Sequence, residues 1–143
     1  DGGVAMNEDN LKKFVSHPQV FAASDGHLRV LGKGVSHPRN YGTFPRWVGH
    51  YGREEGLLTV QEAVRKCSFM PADKFGLHDR GQLAPRKYAD IVIFSWEEIV
   101  DRATFEEPHQ YPEGIPHVVV NGQVAIRDGE VAPQSYGRVL RLR

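Results

Sequence analysis

Two short apolar runs, Val118-Val119-Val120 and Gln123-Val124-Ala125-Ile126, flank Asn121-Gly122. A two-residue type I′ turn needs positive φ at both central positions, and Asn-Gly meets that need at little steric cost. The pair commits this stretch to an antiparallel hairpin. Asp128-Gly129 marks another turn just downstream, and Ala89-Asp90-Ile91-Val92-Ile93-Phe94 reads as a β run upstream. The C-terminal half is therefore mostly β.

The N-terminal half follows a helical period. Leu11, Phe14 and Val15 share one face of a helix running from Glu8 to Ser16, capped by Asn7 and stopped by Pro18. Gln19-Val20-Phe21-Ala22-Ala23 is short, apolar and bounded by polar or breaker residues, so it reads as a buried strand. Ser24-Asp25-Gly26 follows it directly. The stretch from Gly26 to Gly42 holds four glycines, and a loop of that length is usually functional. Thr43 then caps a helix with Pro45 near its first turn, where Phe44, Trp47, Val48 and Tyr51 fall at i, i+3, i+4 and i+7, and Gly56 ends it. Thr59 and Glu62 form a capping box for a helix reaching Cys67 or Ser68, and a further turn runs from Pro71 to Gly76. A helix followed by a buried strand is the rhythm of a parallel α/β fold. A soft boundary falls between Gly76 and Gln82, and neither internal repeats nor low-complexity tracts occur.

Eighteen basic residues balance eighteen acidic ones in a chain of 143 residues, which gives no electrostatic case for nucleic acid or an anionic membrane. No apolar run approaches the roughly 20 residues of a membrane span. Asp1 to Met6 has neither the basic flank nor the apolar core of a signal peptide. The lone Cys67 excludes an internal disulfide and a Cys-rich zinc motif, so a reducing, cytoplasmic setting is the default expectation. The chain has no initiator methionine and opens in what reads as a loop, as a fragment or processed product does. Seven histidines include neither a His-x-His nor a His-x-x-x-His pair, and most of them read as ordinary surface or partly buried residues. Taken alone, Asp25 reads as a turn residue, Arg39 as a surface arginine and Cys67 as a small core residue.

A longer pattern changes that weighting. Ser24-Asp25-Gly26, His37-Pro38-Arg39, Tyr41-Gly42-Thr43-Phe44-Pro45-Arg46, Glu62-Ala63-Val64-Arg65-Lys66, Phe75-Gly76-Leu77 and Asp79-Arg80-Gly81 occur in that order. Ala89-Asp90-Ile91-Val92-Ile93-Phe94, Asp101-Arg102-Ala103-Thr104-Phe105, Tyr111-Pro112-Glu113-Gly114-Ile115, Val119-Val120-Asn121-Gly122 and Gly137-Arg138-Val139-Leu140 complete it. The run resembles the C-terminal portion of the N-acyl-D-amino-acid deacylases (D-aminoacylases) of the amidohydrolase superfamily, over nearly the whole chain. One departure stands out: the family usually carries a glycine in the turn before the Ala-Asp strand, and this chain has Ala84-Pro85-Arg86-Lys87-Tyr88 there.

The resemblance implies an α/β fold. Residues 1–78 would be the last strand and helices of a TIM-like (β/α)8 metal-dependent hydrolase barrel, and residues 79–143 a small composite β domain of sandwich type. It implies that Asp25 lies at the metal centre as general base and acid, and that Arg39 binds the free α-carboxylate of an N-acyl-D-amino acid. His37 would stand beside the substrate or support the loop. The implied cofactor is Zn2+, whose remaining ligands would lie upstream, so a chain with one carboxylate would not catalyse alone. The implied partners are the missing barrel portion or a second copy, since an unpaired strand edge recruits a neighbour. The competing readings are a cyclic amidohydrolase of dihydroorotase or hydantoinase type, and a non-catalytic interaction module.

Overall fold

Asn7 begins the first helix as a polar cap, its Oδ1 accepting the Asn10 N–H at 2.9 Å. Helix α1 (Glu8–Ser16) ends at His17, one residue before Pro18, and buries Val15. The computed structural model describes residues 7–141, so the loop expected at Asp1 to Met6 lies outside the described residues.

Gln19 to Ala23 departs from expectation: it has no strand partner among the described residues. A strand exists only where a neighbour takes its backbone bonds. Here a lysine takes over that task. Ala22 donates its N–H to the Lys66 carbonyl at 3.1 Å. The Lys66 ammonium in turn donates to the carbonyls of His17 at 2.5 Å and Val20 at 2.8 Å.

The next helix starts earlier than its sequence signals indicate. Helix α2 (Arg39–Arg46) runs straight into a wider π-helical stretch, Trp47–Glu54, and stops before Gly56, which takes φ +63°. Thr43 is thus interior rather than a cap, and its hydroxyl donates back to the Arg39 carbonyl at 3.0 Å. Pro45 lies inside the helix. The expected capping box is present at α3 (Val60–Val64), with Thr59 N–H on Glu62 Oε2 at 2.9 Å and Glu62 N–H on Thr59 Oγ1 at 3.3 Å. That helix does not end at Cys67 or Ser68. It widens over Arg65–Phe69 and continues as α4 (Met70–Lys74), with Pro71 tolerated in the first turn of that last segment, before Gly76 closes it at φ +66°.

Four antiparallel strands follow in the order β1 (Ile91–Ile93), β2 (His117–Val120), β3 (Gln123–Arg127) and β4 (Glu130–Val131). Val119 pairs with Ile91 on one side and Val124 on the other, and a bulge sits between Val118 and Val119. Asn121 and Gly122 take φ +50° and +80°, and Asp128 and Gly129 take +52° and +82°, as primed turns require. Among the described residues the protein combines helices with one small four-stranded antiparallel sheet.

The core straddles the expected boundary. Val15, Val48, Tyr51, Leu58 and Ala63 from the helices pack with Ile99 from the β-rich half. Gly49 permits this, because a Cβ there would collide with the Ile99 carbonyl. Arg53 Nη1 donates to the carbonyls of Trp96 and Ile99 at 2.8 and 2.9 Å. Between helices and sheet lies an open apolar cleft of about 670 Å³, lined by Pro45, Val48, Cys67, Phe94 and Val118 among others. Burial there pushes the Cys67 thiol up to about 12, which makes it a poor nucleophile. No helix among the described residues is long and apolar enough to cross a membrane.

Candidate functional site

The segment from Ser24 to Asn40 leaves the core and returns to it, and its two ends meet. Asp25 takes φ +47°, a left-handed conformation that aspartate tolerates better than most residues. The Ser24 hydroxyl, rather than the Asp25 carboxylate, accepts the Gly26 N–H at 3.1 Å. This leaves the aspartate side chain free to project, and it is 86% exposed. At the other end His37 precedes Pro38, the N-cap of α2. The His37 Nδ1 accepts the Arg39 N–H at 3.1 Å, one of the orphan donors of a first helical turn.

The first turn of α2 then aims Arg39 at Asp25, with Nη2 at 3.1 Å from Oδ2. Arg39 Nε is buried and has no hydrogen-bond partner among the described residues. Asn40 ties the two ends together: its Oδ1 accepts the His27 N–H at 2.8 Å, and its Nδ2 donates to Ser36 Oγ at 2.9 Å. The three residues singled out in the sequence thus converge on one loop. Asp25 and Arg39 face each other, while His37 spends its Nδ1 on the helix start and packs edge-on against Phe105, ring centroids 5.0 Å apart.

Sequence reasoning did not single out the second half's contribution. His109, Phe105 and Tyr111 lie in the connection between β1 and β2, and they press on this loop and on Tyr41. Phe105 and Tyr111 belong to quoted motifs, but nothing local in them announces a contact across 68 or more residues of chain, the separation of Tyr41 and His109.

The donor set limits what the site can bind. Among the described residues, no group of three or more His, Cys, Asp or Glu side chains could hold a metal ion. One projecting carboxylate at Asp25 fits a metal only as a single ligand or neighbour. A catalytic zinc ordinarily takes three protein ligands and keeps one position open.

Comparison with known proteins identifies the family. The family model described as Amidohydrolase family matches residues 5–126. The chain is 40% identical over 139 residues to the N-acyl-D-glutamate deacylase of Alcaligenes xylosoxydans xylosoxydans, covering 96% of this chain and 27% of that protein. A solved D-aminoacylase, described for the role of its binuclear metal centre, superposes with a TM-score of 0.83 at 39% identity, over 90% of this chain and 27% of that one. The N-acyl-D-glutamate deacylase of Bordetella bronchiseptica, solved with zinc and a phosphonate mimic of the tetrahedral intermediate, gives 0.78 at 39% identity, over 84% of this chain and 25% of that one. The chain thus spans about a quarter of the length of the relatives it matches. With the family match extending over most of its length and a likeness of fold at this identity, the chain belongs to the amidohydrolase family.

Proposed function

We propose that this chain supplies the proton-transferring carboxylate and the substrate-orienting arginine of a metal-dependent hydrolase of N-acyl-D-amino acids. Asp25 would follow the last strand of a TIM-like barrel, and the later residues would belong to a small composite β domain. The unpaired Gln19 to Ala23 segment leading into Asp25 supports that placement.

The observation that carries the reading is the 3.1 Å approach of Arg39 to Asp25. In an N-acyl-D-amino acid a single carbon separates the scissile amide nitrogen from the free carboxylate. The group that binds the carboxylate and the group that moves the amide's proton must therefore stand side by side. Before substrate arrives, Asp25 occupies part of the Arg39 fork. The substrate carboxylate takes over that fork, with the unpartnered Nε as a second donor, and releases Asp25 toward the amide. A guanidinium suits this task because it presents two parallel donors and so fixes the orientation of the α-carbon.

Zinc, when bound beside Asp25 by ligands from outside this chain, would polarise the amide carbonyl and acidify the attacking water. Asp25 accepts the proton of that water as its oxygen bonds to the carbonyl carbon. It then passes the proton to the departing nitrogen as the C–N bond breaks, leaving a carboxylic acid and a free D-amino acid. The cyclic amidohydrolase reading is not favoured, because the relatives matched over nearly the whole chain are deacylases of linear N-acyl-D-amino acids.

The test uses the enzyme with its metal ligands complete. Asp25→Asn lowers kcat on N-acetyl-D-methionine or N-acetyl-D-glutamate by roughly 10²–10⁴-fold, and Arg39→Ala acts chiefly on KM. Full kcat in Asp25→Asn removes the assignment. The 143-residue chain alone is expected to be inactive. Hydrolysis by it with stoichiometric metal would show that the site is complete without further polypeptide.

A further inference from the structure

The loop between Asp25 and Arg39 is long, glycine-containing and largely exposed, with Leu28 and Val35 exposed almost fully. Such a loop has little packing of its own to hold its ends in register. One side chain from the far half of the chain fastens its middle. Gly32 donates its N–H to His109 Nδ1 at 3.2 Å, and His109 Nε2 lies 2.8 Å from the Gly34 carbonyl. An Nδ1 that accepts from Gly32 places the ring proton on Nε2, which is then the donor to Gly34. The Tyr41 hydroxyl approaches the same Nδ1 at 3.1 Å as a second donor, and the Tyr41 and His109 rings meet edge-on with centroids 5.8 Å apart.

Tyr41 lies two residues past Arg39 on α2, so the imidazole joins the loop's middle to the helix that carries the guanidinium. Gly32 and Gly34 take φ +73° and +68°, which lets two successive turns of the loop present an N–H and a carbonyl to one ring. The Asn40 contacts close only the base of the loop.

We propose that His109 is a positioning residue for the Asp25–Arg39 pair. It bridges Gly32 and Gly34 to Tyr41, and so sets how the Arg39 fork meets the substrate carboxylate. The proposal rests on the deacylase reading above. His109 touches no reacting atom in this role. Its loss leaves proton transfer at Asp25 intact and loosens the carboxylate clamp, so it is felt in KM rather than kcat.

The two ring nitrogens can be separated by substitution. His109→Ala removes both bonds. His109→Gln puts an amide nitrogen near the place of Nε2 and keeps the donor to Gly34. His109→Asn puts an oxygen near the place of Nδ1 and keeps the acceptor for Gly32. In the complete metal-loaded enzyme, His109→Ala is expected to raise KM for an N-acyl-D-amino acid about tenfold with kcat within about twofold of wild type. Gln and Asn should each fall between the two. Backbone amide exchange at Gly32 speeds up in His109→Ala and His109→Gln but less in His109→Asn, a pattern that general destabilisation would not give. If His109→Ala does not fold, the Gln and Asn variants carry the same comparison. A KM unchanged in the folded His109 variants, beside a KM raised by Arg39→Ala, overturns the positioning role alone. A KM unchanged in Arg39→Ala as well overturns the deacylase reading beneath it.

Discussion

Lys66 is 3% exposed and forms no salt bridge with a carboxylate among the described residues. Its ammonium is satisfied by two carbonyls from the turn after α1, and desolvation pulls its pKa below the ordinary lysine value of 10.5. The arrangement has two consequences of opposite sign. Removing the side chain strands buried carbonyls, so Lys66→Met should destabilise by about 1–3 kcal/mol. Keeping it charged costs desolvation. Because the folded pKa is depressed, the unfolded chain binds more protons as pH approaches 10.5, and wild-type stability gains through that window. Urea unfolding of both proteins at pH 7 and pH 10 should therefore show the wild-type advantage widening with pH. A narrowing gap would mean that the two carbonyls stabilise the ammonium by more than burial costs it. At this scale the sequence was partly legible. Asp25 and Arg39 stand in motifs that the family resemblance singles out, and the fold brings the two side chains together. Lys66 and His109 matter through carbonyls and amides more than forty residues away, and no local pattern records that.

Elements were legible where local chemistry decides them. Asn121-Gly122 and the Thr59–Glu62 box occur as expected, because positive φ and orphan amides are settled within four residues. The start of α2 was not, since Pro38 holds the cap position without a side-chain bond and the usual Ser, Thr, Asp or Asn signal is absent there. Gln19 to Ala23 failed for a different reason: apolarity marks burial, whereas pairing needs a neighbour. The turn before β1 puts a non-glycine residue at positive φ. Ala84 accepts the Lys87 N–H at 3.3 Å, Pro85 holds the second position of that turn, and Arg86 in the third takes φ +70°. A type II turn wants glycine at that third position. A left-handed arginine costs about 1–2 kcal/mol, against which glycine adds unfolded-state entropy of about 0.5–1 kcal/mol. Arg86→Gly should therefore raise stability by up to about 1 kcal/mol, a Tm increase of roughly 4 °C by calorimetry. An unchanged or lower Tm would show that the arginine side chain offsets the strain of its backbone.

At the scale of the molecule, the question is whether the helical and β-rich halves unfold as one. One set of contacts organises the β-rich half and another joins it to the helices. Arg80, after α4, pairs with Asp90 just before β1 and donates to Asn121 Oδ1 at 2.8 Å, while Asp90 Oδ1 accepts the Asn121 N–H at 2.7 Å. The buried guanidinium of Arg80 thus joins its own Asp79-Arg80-Gly81 motif to Ala89-Asp90 and Asn121-Gly122. The guanidiniums of Arg80 and Arg138 also lie over the Tyr88 ring, 4.4 and 3.9 Å from its centroid. The second set is apolar. Ile99, 3% exposed, enters the cluster of Val15, Val48, Tyr51, Leu58 and Ala63, and Arg53 ties the Ile99 backbone to the helix beneath it. The apolar contact should dominate, because truncating a buried isoleucine costs about 2–5 kcal/mol, a large share of the ~5–15 kcal/mol that holds a domain together. Ile99→Ala should then lower the denaturant midpoint of far-UV ellipticity, which reports mainly the helices, and of amide exchange in β2 and β3 by the same amount. Two separated midpoints, with the helical signal unmoved, would show that the halves fold independently and that the shared core is an incidental contact between them.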